Sequence, residues 1–169
     1  MQVIWGTKKI EKDTPMENRD LIEFFDESLF ISSLAAKNKN DVFEELVDLF
    51  VQAKVVRKKD ILLEMLHKRE TLGSTGIGKN VAIPHGRTTA AIDVKIAFGR
   101  SDKGISFDAI DGKPVHLIFV VLAPPHDENN KYLPVLGKLV EVVSEKANRD
   151  RLRKVETYEE FIKVMSGEK

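Results

Sequence analysis

Arg69-Glu70, followed by Gly73-Ser74-Thr75-Gly76-Ile77-Gly78-Lys79-Asn80-Val81-Ala82-Ile83-Pro84-His85-Gly86-Arg87, is the stretch on which the reading of this chain turns. Gly73, Gly76 and Gly78 cannot propagate a helix cheaply, so the spacing predicts a loop over residues 73–80 feeding a short strand, Val81 to Ile83. Pro84 ends that strand. An imidazole held between Pro84, which fixes the entering backbone, and Gly86, which removes bulk behind it, is presented at a strand end with open access. Neutral imidazole is a nucleophile near neutral pH, and one ring nitrogen stays free for attack if the other donates its proton to a fixed acceptor. That is what capture of a phosphoryl group requires. Arg69 and Arg87 are candidates to compensate the oxygen charge, because a guanidinium matches phosphate with a bidentate fork. The loop amides and the Ser74 and Thr75 hydroxyls are further candidate donors. On residue type alone, a His between Pro and Gly is more often a turn residue than a nucleophile, and Gly76 and Gly78 more often form turns than cradle phosphate. The spacing fits neither a dinucleotide fingerprint nor a nucleotide P-loop, which needs Ser or Thr after Gly-Lys where this chain has Asn80.

Outward from this segment, the pattern is that of an α/β domain. Towards the N-terminus, Asp60 is placed as the cap of a helix carrying Ile61, Leu62, Met65 and Leu66 on one face and ending near Glu70. Before it, Asn38 or Asn40 caps a helix over residues 41–53, with Val42, Leu46, Leu49 and Ala53 at helical spacing. Residues 28–35 read as a strand, and residues 20–25 as an amphipathic start. Towards the C-terminus, residues 94–100 form a strand, and Asp111-Gly112 turns the chain into Val115 to Ala123. That strand is apolar in both of its alternating sets, which predicts a central position covered on both faces. Leu133, Leu136, Leu139, Val140 and Val143 mark a helix, and Thr157 with Glu160 makes a capping box before Phe161, Ile162 and Met165. Two early helices, a set of strands and late helices imply a layered α/β domain.

With 169 residues, the chain suits one domain, residues 20–169, after an extension over residues 1–19. Lys plus Arg equals Asp plus Glu at 27 each, so no overall field attracts nucleic acid or an anionic membrane. The absence of Cys removes thiolate chemistry and disulfides and fits a reducing compartment. The longest apolar run falls far short of the roughly 20 residues needed to cross a bilayer. A cytoplasmic protein without membrane insertion is the expectation.

In order and spacing, the segment from Arg69 to Arg87 resembles the signature of the fructose/mannitol class of enzyme IIA domains of the sugar phosphotransferase system, including its nitrogen-regulatory branch. The resemblance extends more weakly from about Asp20 to Met165, and the fold it implies is a single α/β domain with a mixed β-sheet flanked by helices on both faces. It implies that His85 accepts a phosphoryl group on Nε2 from a histidine phosphocarrier protein, with Arg69 as the active-site arginine. Thr75, Arg87 and Tyr132 follow as possible contacts to the phosphoryl oxygens. It also implies onward transfer to a IIB component, or a phosphorylation state read by a regulatory target protein; no cofactor is expected, and no metal, because no two His show metal-ligand spacing. Members of the class commonly carry a second histidine where this chain has Tyr132, and a phenol donates a hydrogen bond but carries no positive charge. A non-catalytic binding module that keeps the fold and has lost phosphotransfer is the alternative.

The remaining histidines weigh less. His67 falls off the apolar face of its helix and reads as solvated; His116 opens the central strand as a packed, hydrogen-bonded residue. His126, close in sequence to Tyr132, is a candidate for a supporting role. The basic run Lys54 to Lys59 is either a docking patch for an acidic partner or a solvated connection between helices.

Overall fold

A computed structural model describes residues 15–169, which form a mixed six-stranded sheet with helices on both faces. In chain order the helices are α1 (Asn18–Leu21), α2 (Lys39–Gln52), α3 (Lys59–Thr71), α4 (Tyr132–Ser144), α5 (Lys146–Leu152) and α6 (Tyr158–Met165). The strands are β1 (Phe30–Ile31), β2 (Gly76–Gly78), β3 (Val81–Ala82), β4 (His85–Arg87), β5 (Lys95–Ile105) and β6 (Val115–Ala123). The sheet order is β1-β5-β6-β3-β2, with β4 also on β6. β5 and β6 are antiparallel, while β3 and β4 run parallel to β6.

Every residue of β6 is buried, as its two apolar alternations require. Leu117, Phe119 and Val121 face α4 and α6 and join a core with Phe25, Phe98, Leu139 and Phe161. Ile118, Val120 and Leu122 face the other way, onto Phe43, Leu46 and Phe50 of α2 and Leu62 and Leu66 of α3. The period of two along one strand thus builds both halves of the three-layer domain.

Several expected elements are displaced, each for a local reason. The strand expected over residues 28–35 shrinks to Phe30–Ile31, because Asp26 accepts from the Ser28 amide at 2.9 Å and its hydroxyl at 2.6 Å, curling Glu27–Leu29 into a 3₁₀ turn. α3 is capped at Lys58 rather than Asp60. Its first residue, Lys59, is drawn to Glu44 at 3.1 Å and Asp48 at 2.8 Å on α2, which leaves the Asp60 carboxylate inside the first turn. The expected loop over residues 73–80 contains β2, paired antiparallel with β3. Gly78, Lys79 and Asn80 make the reversal at φ of 92°, 57° and 67°. β5 runs on to Ile105 through a shift in register, with the Gly104 amide donating to Ser101 Oγ at 3.0 Å. On α4 the buried face is Tyr132, Val135, Leu139 and Val142 with Val143, while Leu133 and Val140 are exposed.

Other expectations hold. Asn38 caps α2 by accepting from the Asp41 amide at 2.9 Å, and of the expected capping box on α6 the Thr157 half forms, its hydroxyl accepting from the Glu160 amide at 3.1 Å. The boundary drawn at residue 19 falls inside the fold: Glu17 and Asp20 form a capping box on α1, and Met16 packs on the core. Residues 1–14 of the expected extension lie outside the described residues.

Phe119 lies 4.9 Å from the Phe98 ring and 6.3 Å from that of Phe161, centroid to centroid. Replacing it by Ala opens a cavity in the α4/α6 layer. Phe119→Ala should lower the unfolding free energy by about 3–5 kcal/mol in urea titrations followed by circular dichroism. A loss below about 1 kcal/mol would show that these rings do not share one core.

Candidate active site

β3 and β4 are two pieces of one line of chain along β6. Val81 lies opposite Leu117 and His85 opposite Val121, so the two pairs are four residues apart on each strand and the register is unbroken. Only Ile83 and Pro84 interrupt the pairing. The Ile83 amide donates to Thr75 O at 3.0 Å, and Pro84 O accepts from the Val121 amide at 2.9 Å. The Ile83 carbonyl, outside both strands, faces the His85 ring, with Nδ1 at 2.6 Å. A carbonyl can only accept, so Nδ1 carries the proton and the Nε2 lone pair is left free. The ring is half-buried, neither loose in solvent nor sealed in the core.

Gly86 does more than clear space. A Cβ there would stand 2.1 Å from Met65 Sδ, so the missing side chain lets α3 lie directly on β4. The last turn of α3 carries Arg69, whose Nη1 donates to Gly73 O at 3.0 Å. On β4, Arg87 donates to Pro124 O at 3.2 Å and holds its guanidinium carbon 4.7 Å from the centroid of the Tyr132 ring. Tyr132 begins α4, its amide donating to Asp127 Oδ2 at 2.7 Å, and its ring centre lies 6.5 Å from that of His85. Burial pushes the Tyr132 phenol above its ordinary pKa, against the pull of the Arg87 and then the Arg69 guanidinium. Three elements, α3, β4 and α4, therefore bring Arg69, His85, Arg87 and Tyr132 to one end of the sheet. Each guanidinium has five N–H donors and spends one on a backbone carbonyl in these bonds, leaving others for an anion.

Thr75 sits differently. It is 3% exposed, and its hydroxyl donates to Glu70 Oε2 at 2.7 Å while its amide donates to Glu70 Oε1 at 3.0 Å. Ser74 donates to Phe107 O at 2.6 Å, the Gly76 amide goes to Ser74 Oγ at 3.0 Å, and the Lys79 amide goes to Asp111 Oδ2 at 2.9 Å. The glycine segment thus spends these donors on its own shape rather than on an open anion cradle. Glu70, quoted in the motif without a task, is what organises it; a carboxylate one position after Arg69 was the only signal in the sequence.

His67 is exposed and lays its ring against Phe43, with centroids 5.3 Å apart. His116 is buried at the opposite end of β6, with Nδ1 at 2.8 Å from Ser101 O. His126 is exposed and lines a neighbouring cleft of about 400 Å³ with Glu23, Asp93, Lys95 and Asp127. Within the basic run, Lys59 is tied to α2, whereas Arg57 and Lys58 are exposed. Among the described residues, no group of three or more His, Asp and Glu side chains could hold a metal ion. Nor is any of their helices long and apolar enough to cross a membrane.

Residues 23–167 match the family model for the phosphoenolpyruvate-dependent sugar phosphotransferase system, EIIA 2. The PTS system fructose-specific EIIABC component of Bacillus subtilis is 32% identical over 79% of this chain. The chain spans only 21% of that relative's length. The fructose-specific EIIA component of Haloferax volcanii is 36% identical over 70% of this chain and 77% of its own. Among solved structures, nitrogen regulatory protein IIA-Ntr from Neisseria meningitidis superposes with a TM-score of 0.77 at 36% identity, covering 85% of this chain and 97% of that one.

The stacked guanidinium and the buried phenol can be read directly by titration. In a Tyr158→Phe background, which removes the other tyrosine, the phenol of Tyr132 should ionise above the ordinary tyrosine range in ultraviolet absorbance. Adding Arg87→Ala removes a cation that favours the phenolate, so the ionisation should move further up. A phenol that titrates below the ordinary range, or that ignores Arg87→Ala, would place the guanidinium away from the ring.

Proposed function

The chain belongs to the phosphoenolpyruvate-dependent sugar phosphotransferase system EIIA 2 family, whose members are phosphotransferases with a phosphohistidine intermediate, and we propose that His85 is the residue that carries the phosphoryl group here. The observation that carries the reading is the bond from Nδ1–H to the Ile83 carbonyl, which leaves Nε2 as the nucleophile. Nε2 attacks phosphorus in line as the bond to a donor imidazole breaks. The positive charge that appears on the His85 ring matches the one the departing donor ring loses, so no net proton transfer is needed. Nδ1 keeps its proton throughout, and the Ile83 carbonyl stabilises the imidazolium that forms.

In this reading Arg69 and Arg87 compensate the charge spread over the phosphoryl oxygens, and the Tyr132 hydroxyl donates a further hydrogen bond. The raised pKa of that phenol supports its role as a neutral donor at physiological pH. The donor is a histidine phosphocarrier protein, and the acceptor is a IIB component or a regulatory target protein that reads the phosphorylated state; nucleic acid has no part. Relatives named for fructose transport and for nitrogen regulation support both outlets. Such a relay works in the cytoplasm.

Incubation with labelled phosphoenolpyruvate, enzyme I and the phosphocarrier should give acid-labile, base-stable label that is absent from His85→Ala. Arg69→Ala should slow labelling by about 10²-fold or more, the scale of one lost transition-state donor. Label persisting in His85→Ala overturns the assignment. A folded wild-type protein that never takes up label would instead be a non-catalytic binding module.

A further inference from the structure

The Glu70 side chain is only 9% exposed and takes no part in the phosphoryl chemistry above. Three donors converge on its two oxygens: Lys39 Nζ from α2 at 3.0 Å, the Thr75 amide at 3.0 Å and the Thr75 hydroxyl at 2.7 Å. Lys39 is itself seated over the Phe107 ring, 4.8 Å from its centroid. The carboxylate therefore fixes Thr75 in both its backbone and its side chain. Thr75 then passes the constraint on, since its carbonyl accepts from the Ile83 amide at 3.0 Å, and the other side of Ile83 is the carbonyl that faces His85 Nδ1 at 2.6 Å.

We propose that Glu70 is a positioning residue for the transfer: acting through Thr75 and Ile83, it aims the carbonyl that keeps the His85 proton on Nδ1 and the Nε2 lone pair free. The chain of contacts from Lys39 to the imidazole is continuous, and every link is a hydrogen bond of 3.0 Å or less. A carboxylate suits the post because an ionised acceptor binds several donors more strongly than an amide oxygen. Glutamine in its place would turn an NH₂ group towards these donors, which breaks the bonds from the Lys39 ammonium and the Thr75 amide or forces the Thr75 hydroxyl to accept instead of donate. Thr75 thus serves the reaction from behind the histidine, and its buried hydroxyl needs no phosphoryl contact to matter. With Arg69 holding Gly73 O, consecutive residues of one helical turn grip the two ends of the segment from Gly73 to Thr75.

The inference rests on His85 being the nucleophile, but its test does not depend on label uptake. Nitrogen NMR of the neutral His85 ring in the unphosphorylated full chain should show the Nδ1–H tautomer in the wild type and a population of Nε2–H in Glu70→Gln and in Thr75→Val. Their transfer rates should fall about 10- to 10²-fold, the range expected when a reacting group is displaced from a distance. Thr75→Ser, which keeps the hydroxyl, should restore both the tautomer and most of the rate. If Glu70→Gln does not fold, the Thr75→Val and Thr75→Ser pair decides the matter. Folded variants that keep Nδ1–H overturn the proposal, whether their rate is unchanged or reduced. A tautomer shift in a protein that never accepts label would uphold the positioning and retire the phosphoryl reading.

Discussion

One hydrogen bond, from His85 Nδ1 to the Ile83 carbonyl, organises the candidate site. It is short and local, spanning two residues, and it depends on a break in an otherwise regular strand. β3 and β4 keep the same register on β6, so the chain is held firmly on both sides of the interruption. Pro84 has no amide to give to a ladder, and the adjoining Ile83 peptide falls outside the pairing. A group released from a sheet but still anchored at both ends is a fixed acceptor, and a fixed acceptor selects one tautomer of an imidazole.

The rest of the domain can be understood as support for that break. Because β6 is buried on both faces, a slip of one residue would send Phe119 and its neighbours to the wrong layer, so the register facing His85 is specified by two cores at once. Gly86 then allows α3 to lie close enough that its final turn reaches the glycine segment with both Arg69 and Glu70. Packing, backbone pairing and a buried carboxylate all act on the same few residues. None of them touches the free nitrogen.

How much of this could be read from the sequence depended on the range of the determining interaction. β6, the Asn38 cap and the Thr157 cap were legible because alternation and side-chain capping are decided within a few residues. Pro84 was read as ending a strand and exposing His85, whereas His85 opens β4 on β6 and is half-buried, because the pairing with Val121 resumes across the proline. β2 was not legible: its pairing with β3 depends on a reversal that places Lys79, a residue with no turn preference, in the left-handed region between Gly78 and Asn80. Asp60 failed as a cap because Lys59 is held by Glu44 and Asp48, partners more than ten positions away. Thr75 was read as facing a ligand because a hydroxyl in a glycine segment looks free until Glu70 is seen to claim it.

The electrostatics follow from the same arrangement. The chain has no net charge, so anything that favours a phosphoryl group must be local, and in the proposed function Arg69 and Arg87 supply it at one end of the sheet. A second imidazole at position 132 would add a charge that comes and goes near neutral pH, whereas the phenol there is pushed by burial to stay neutral well past that range. In the proposed reaction the positive charge offered to the oxygens therefore comes from two guanidiniums, whose planar forks match phosphate oxygens. Arg87 couples the two features by lying on the Tyr132 face, where the ring quadrupole favours a cation and limits its wandering. The phenol thus acts as a platform that holds the Arg87 guanidinium beside the His85 ring without adding a charge of its own.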